Sequence, residues 1–202
     1  MKKLSVFTFS VLCCVLGLVS CNSTSNDQSD KKGVFIPNIH TEVKGSQRSF
    51  VYDVFDDYSI EVRIEGSGSI NKSIITASKS GEVLAVDSVE TDPVISIYYG
   101  DYNRDKSPNI VLITQSAGSG SYKNAVGFEF KQDSFIGLKP LQLPFSAKDT
   151  YMGHDSLWIK NNMIYRKFPV YQKDDSNVRP TGGERTIQYT LEKDYAWKEV
   201  VK

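Results

Sequence analysis

The chain is 202 residues long, with 24 basic and 24 acidic side chains and a formal net charge of zero. That balance supplies no field to steer a polyanion, and it argues against nucleic-acid binding. Two histidines and three cysteines exclude a three-histidine zinc centre, while a hydrophobic share of 40% is enough to fill a core.

Lys2 and Lys3 precede an apolar run from Leu4 to Val19, interrupted only by Ser5, Thr8, Ser10 and Gly17. As a helix the run rises about 24 Å, short of the roughly 30 Å hydrocarbon core, so it reads as a signal peptide rather than a membrane span. It ends in Leu18-Val19-Ser20-Cys21, which resembles the bacterial lipobox: an aliphatic residue, a permissive one, a small one, then Cys. The resemblance implies that residues 1–20 are removed and that Cys21 receives the lipid. The remaining 182 of the 202 residues hold 22 basic and 24 acidic side chains, and Cys13 and Cys14 leave with the leader. With Cys21 acylated, no disulfide can form within the mature chain, and its stability rests on packing. Residues 22–33 carry no apolar side chain and read as a disordered tether of roughly 20 Å. Asn22 stands where an Asp would resemble an inner-membrane retention signal, so the expected location is the outer membrane.

From residue 34 onward the pattern is β. Ser59 to Glu65 alternates, with Ile60, Val62 and Ile64 on one face and Glu61, Arg63 and Glu65 on the other. Val83 to Val86, Val94 to Tyr99 and Ile110 to Ile113 are near-continuous apolar runs, expected as strands covered on both faces. Ala125 to Lys131 groups Val126, Phe128 and Phe130, and Arg185 to Leu191 groups Ile187, Tyr189 and Leu191, each a half-buried strand by its period of two. No stretch has a convincing 3.6-residue period. Short strands broken by Gly, Asn, Asp and Ser predict an all-β fold, an antiparallel β-sandwich or barrel-like single domain over residues 34–202.

Four segments carry candidate chemistry. Asp101, Asn103 and Asp105 place oxygen side chains at alternate positions, the spacing at which calcium loops present their first ligands. Lys106 then stands where such a loop needs Gly, and Leu112 where it needs a bidentate Glu. An Asx-stabilised turn is therefore the first reading and a weak calcium site the second. Nearby Tyr98, Tyr99 and Tyr102 read as half-buried packing residues before they read as a surface for sugars. Ser116-Ala117-Gly118-Ser119-Gly120-Ser121-Tyr122 joins a buried strand to an alternating one, as the tip of a hairpin. Its hydroxyls and free amides can donate to carboxylates, and Tyr122 adds rigid contact area with a polar tip. On chemistry alone it reads as a flexible turn before a recognition loop. His154-Asp155 suggests a His and its orienting carboxylate, but neighbours on a strand point to opposite faces. His154 is expected to be structural, bonded to the loop after Pro144. Asp174-Asp175-Ser176-Asn177 reads as a solvated turn, with a second weak cation site as the alternative. No nucleophile-and-base set can be assembled, and an enzyme is not expected.

The order of Asp101-Tyr-Asn-Arg-Asp105, Ile110-Val-Leu-Ile113, Ser116 to Tyr122, Leu141-Gln-Leu-Pro144, Tyr151-Met-Gly-His-Asp155, Phe168-Pro-Val-Tyr171 and Pro180-Thr-Gly-Gly183 resembles the periplasmic inhibitors of invertebrate-type lysozyme and their lipoprotein relatives. The likeness spans about residues 94 to 192. In that family an S-G-x-Y loop plugs the lysozyme cleft, and Ser119-Gly120-Ser121-Tyr122 fits it. The resemblance implies a loop of Ser116, Ser119, Gly120 and Tyr122 that binds lysozyme, with Ser119 and Tyr122 against the catalytic carboxylates. It requires no cofactor, and its partners are lysozyme and, through Cys21, a membrane. The alternative is a surface-exposed glycan- or calcium-binding module.

Overall fold

The computed structural model describes residues 39–44, 47–53 and 58–201; the leader, the lipidation at Cys21 and the tether at 22–33 that the sequence leads one to expect lie outside them. All described residues fall in one unit, Phe35–Lys202. Among the described residues, thirteen strands make three antiparallel meanders. The first sheet runs β1 (Ile39–Lys44), β2 (Gln47–Asp53), β3 (Tyr58–Glu65), β4 (Asn71–Lys79), β5 (Glu82–Thr91). The second runs β6 (Val94–Gly100), β7 (Asn109–Gln115), β8 (Lys123–Lys131), β9 (Ser134–Gly137), and the third β10 (Ser156–Lys160), β11 (Met163–Pro169), β12 (Glu184–Leu191), β13 (Trp197–Glu199). The expected all-β antiparallel fold is present, and its strands form open sheets rather than a barrel.

Turn chemistry explains the simple order. β4–β5, β8–β9 and β10–β11 are joined by two-residue tips at Ser80-Gly81, Gln132-Asp133 and Asn161-Asn162, each with φ between 49° and 86° at both positions. Two successive left-handed residues match the twist of the strands they join, so each pair closes on its immediate neighbour. One 3-10 turn, Phe145–Thr150, links the second and third sheets.

The second sheet is the middle layer. Ile110 and Leu112 of β7, with Val94, Phe128 and Phe130, pack against Ile60, Val62, Ile64, Ile75 and Ala77 of the first sheet. Val111, Ile113 and Ala125 face the other way, onto Leu157, Ile164, Phe168, Ile187, Tyr189, Leu191 and Trp197 of the third. Strand side chains alternate, so a strand serving two cores must be apolar at every position. β7 is the clearest case, with Ile110, Val111, Leu112 and Ile113 all fully buried.

Two of the runs expected to be doubly covered are not. Val83 and Val86 are 58% and 61% exposed, and Ile95 is 46% exposed. β5 and β6 are edge strands of their sheets, and the register shifts at Ala77/Ser78 and at Val94/Ser96. An edge position and a bulge turn apolar side chains outward that a central strand would bury. The opposite correction applies to β8. It reads as half-buried, yet Ala125, Gly127 and Glu129 are buried as well as Phe128 and Phe130, because the third sheet covers its second face.

Candidate functional site

The loop from Ser116 to Tyr122 is the tip between β7 and β8, and short-range bonds give it one shape. The Ser116 N–H donates to the Tyr122 carbonyl at 2.9 Å, and the Tyr122 N–H returns a bond to Ser116 Oγ at 3.0 Å. At the apex the Ser121 N–H donates to the Gly118 carbonyl at 2.9 Å, with Ser121 held at a φ of 44°. Of the four residues read from sequence as a binding loop, two hold the shape and two are presented. Ser116 spends its hydroxyl on Tyr122, and Gly120 is buried beneath the Tyr122 ring, where a Cβ would overlap it. Ser119 is exposed, and Tyr122 is 45% exposed.

A second loop braces the first. Gly153 lies so close to Gly120 that a Cβ would overlap the Gly120 carbonyl, and its φ of +85° belongs to glycine in any case. The next residue, His154, donates its N–H to that carbonyl at 2.6 Å. The rings continue the support: Tyr122 meets Tyr151 edge-on at 5.6 Å, and Tyr151 meets Phe168 at 5.0 Å. Each adjoining pair is in the edge-to-face arrangement that aromatic quadrupoles favour.

Below the rings sits a buried ion pair, Asp155 Oδ2 to Arg166 Nε at 3.2 Å. Asp155 Oδ1 also accepts the Lys123 N–H at 2.9 Å, its carbonyl accepts from Lys123 Nζ at 2.5 Å, and Arg166 Nη2 donates to the Lys123 carbonyl at 3.0 Å. Lys123 is the first residue of β8, directly after the tip, so the pair clamps the tip's base to β11. The Arg166 guanidinium stands 5.7 Å from the Tyr151 ring centre. Burial pushes the Tyr151 hydroxyl well above the usual phenol range, and the Asp155 charge and hydrogen bond push it further. It therefore stays a neutral donor. The sequence signal for the clamp was a lone Arg at an inward position between Ile164 and Phe168.

The loop after β11 closes the rim on the other side. The Asp175 carboxylate accepts the Gln172 N–H at 2.7 Å and the Thr181 N–H and hydroxyl at 2.8 Å each. The Gln172 amide lowers its pKa most; burial opposes this, and the Thr181 bonds add to the lowering. Asp175 thus ties the turn that the sequence reads as solvated, and its bonds lie on the exposed side of the molecule. His154 is exposed and lies 3.3 Å from Asn177 Oδ1, where the sequence had assigned it to the loop after Pro144. Neither residue of the His154-Asp155 pair is on a strand. The histidine points out and the aspartate in.

Asp101, Asn103 and Asp105 do not converge. Asp101 caps the N–H groups of Asp105 and Lys106 at 3.0 Å each, and Asn103 Nδ2 donates to buried Glu129 at 2.7 Å. Asp105 accepts the Ser107 N–H at 2.9 Å and pairs with Lys131 at 2.5 Å. Burial raises its pKa, but the Lys131 and Ser107 bonds together outweigh that and leave it lowered. This is the Asx-turn geometry, set by Arg104 and Lys106 at φ of 58° and 71°. Among the described residues, no group of three His, Cys, Asp or Glu side chains could hold a metal ion. Tyr102 is buried and packs on Trp197 at 6.1 Å, while Tyr98 and Tyr99 pack at the margins of the two cores. The packing reading of the three tyrosines holds.

Among the described residues, the rim of residues 116–122, 151–155 and 171–181 is accordingly a candidate surface to which both the sequence and the geometry point. No family model, no curated protein and no solved structure matches the chain.

Proposed function

We propose that the chain is a lipid-anchored envelope protein that binds lysozyme and blocks its cleft with the tip at Ser116 to Tyr122, without catalysis of its own. One observation carries this reading: the tip is narrow and made of small residues, yet it is tied across its neck, at its apex and to Gly153-His154. Ordering a loose seven-residue loop on binding costs several kcal/mol, and a tip already held in shape avoids most of that cost. Ser119 and the Tyr122 hydroxyl are the donors such a tip brings to a pair of carboxylates. Cys21, as the lipid-bearing residue, holds the inhibitor at the outer membrane beside the peptidoglycan that lysozyme attacks.

The test is lysis of peptidoglycan by invertebrate, chicken and goose types of lysozyme in the presence of residues 22–202. Inhibition of one type at micromolar concentration is expected, and the double substitution Ser119→Ala with Tyr122→Ala relieves it. Full activity of all three lysozymes would overturn the proposal. The alternative module at Asp101 to Asp105 has weaker support, because its carboxylates already serve the loop's own amides and Lys131.

A further inference from the structure

The outer face of the third sheet presents a second surface with chemistry that the fold does not consume. Leu157, Ile164, Phe168, Ile187, Tyr189 and Leu191 point into the core, so the alternate residues of β10, β11 and β12 point out. Strand register aligns them in two parallel rows. Trp158, Tyr165 and Gln188 form one row, and Lys160, Met163, Thr190 and Lys198 form the next. The Trp158 and Tyr165 rings stack at 5.5 Å with planes 9° apart, leaving one face of each turned away from the other. Neither ring belongs to either core, and both are half-buried. Lys167 is matched by Glu184 at 2.7 Å, whereas Lys160 and Lys198 stand exposed at opposite ends of the second row, Lys198 also within electrostatic reach of Asp194.

From these rows we infer that this face binds an acidic glycan, a chain of pyranose sugars bearing carboxylates. Pyranose rings present C–H groups that favour the negative face of an aromatic ring. Gln188 and Thr190 offer the mixed donors and acceptors that sugar hydroxyls require. Lys160 and Lys198 supply the complementary charge for carboxylates. Size argues against a protein partner. Three to four strands by five residues make a patch roughly 14–19 Å by 17 Å, well below the ~800 Å² per side of a stable protein interface. The lysines, which are depleted in the cores of such interfaces, argue the same way.

Native affinity electrophoresis of the full mature chain through polygalacturonate or sonicated peptidoglycan tests the inference. Retardation by at least one is expected, falling with added salt and absent in fully methyl-esterified pectin. Trp158→Ala with Tyr165→Ala should weaken it about tenfold or more, and Lys160→Gln with Lys198→Gln several-fold, the latter pair standing on exposed sites that do not threaten the fold. Lysozyme inhibition should be unchanged in both variants, which separates this surface from the rim. No retardation by either acidic glycan would overturn the inference, as would equal retardation of the parent and the lysine variant. Dimerisation lost on the ring substitutions, without glycan binding, would overturn it in favour of a second copy.

Discussion

Gly153 is the residue on which the shape of the rim depends most. Its backbone φ of +85° and its contact with the Gly120 carbonyl leave no room for a side chain. Gly153→Ala combines left-handed strain with overlap against main chain, about 1–3 kcal/mol by the usual cost of such positions. Gly153 is itself buried, so the expected signature is a lowered Tm together with a weakening of the proposed lysozyme inhibition. Asp155 and Arg166 act one layer deeper. Removing either partner strands a buried charge, so Asp155→Ala should destabilise by about 3–5 kcal/mol in urea unfolding. An unchanged midpoint would mean that the pair is solvated and does not clamp the tip. Asp175 makes a pH prediction. Its folded pKa lies below its unfolded value, so its contribution is fully present above about pH 4 and is lost as pH falls through the lower folded pKa. Stability measured between pH 4 and 2 should fall less steeply in Asp175→Asn than in the parent. The asparagine has no charge to lose over that window.

At the scale of strands, legibility followed periodicity and failed at edges. The apolar run at Ile110 to Ile113 and the alternation at Ser59 to Glu65 report their burial faithfully, because central strands have their environment set on both sides by hydrogen-bonded neighbours. Val83, Val86 and Ile95 look the same in sequence, but β5 and β6 are edge strands, and local composition does not say which strand is an edge. The mirror failure is β8, whose second face is buried by the third sheet from far along the chain. The same limit applied to the rim. The hairpin tip was legible from its small residues, whereas its bracing by Gly153 and by the Asp155–Arg166 pair depends on contacts more than thirty residues away. The contrast between β7 and β5 can be measured. Leu112→Ala should cost about 2–5 kcal/mol as a fully buried deletion. Val86→Ala, 61% exposed, should stay within roughly 0.5 kcal/mol.

Across the three sheets, β7 and β8 are the shared element, since adjacent residues of each strand feed opposite cores. Neither core can lose its middle sheet without exposing the other, so the cores should unfold together as one two-state unit. The two tryptophans, Trp158 and Trp197, both belong to the third sheet, whereas far-UV circular dichroism reports all three. In urea the two signals should trace one coincident transition. Val62→Ala, a deletion in the core that the first sheet shares with the second and that contains neither tryptophan, should shift the fluorescence midpoint as far as the dichroism midpoint. A fluorescence transition that ignores Val62→Ala would mean that the outer sheets melt independently. The third sheet, with the rim's clamp at Arg166, would then keep its tip in shape while the first sheet is open. Coincidence instead makes the rim as stable as the whole domain. In that case every core substitution disturbs the rim only through the folded fraction, whereas Gly153→Ala reshapes it even where the fold is intact, and the proposed lysozyme binding should follow the same division.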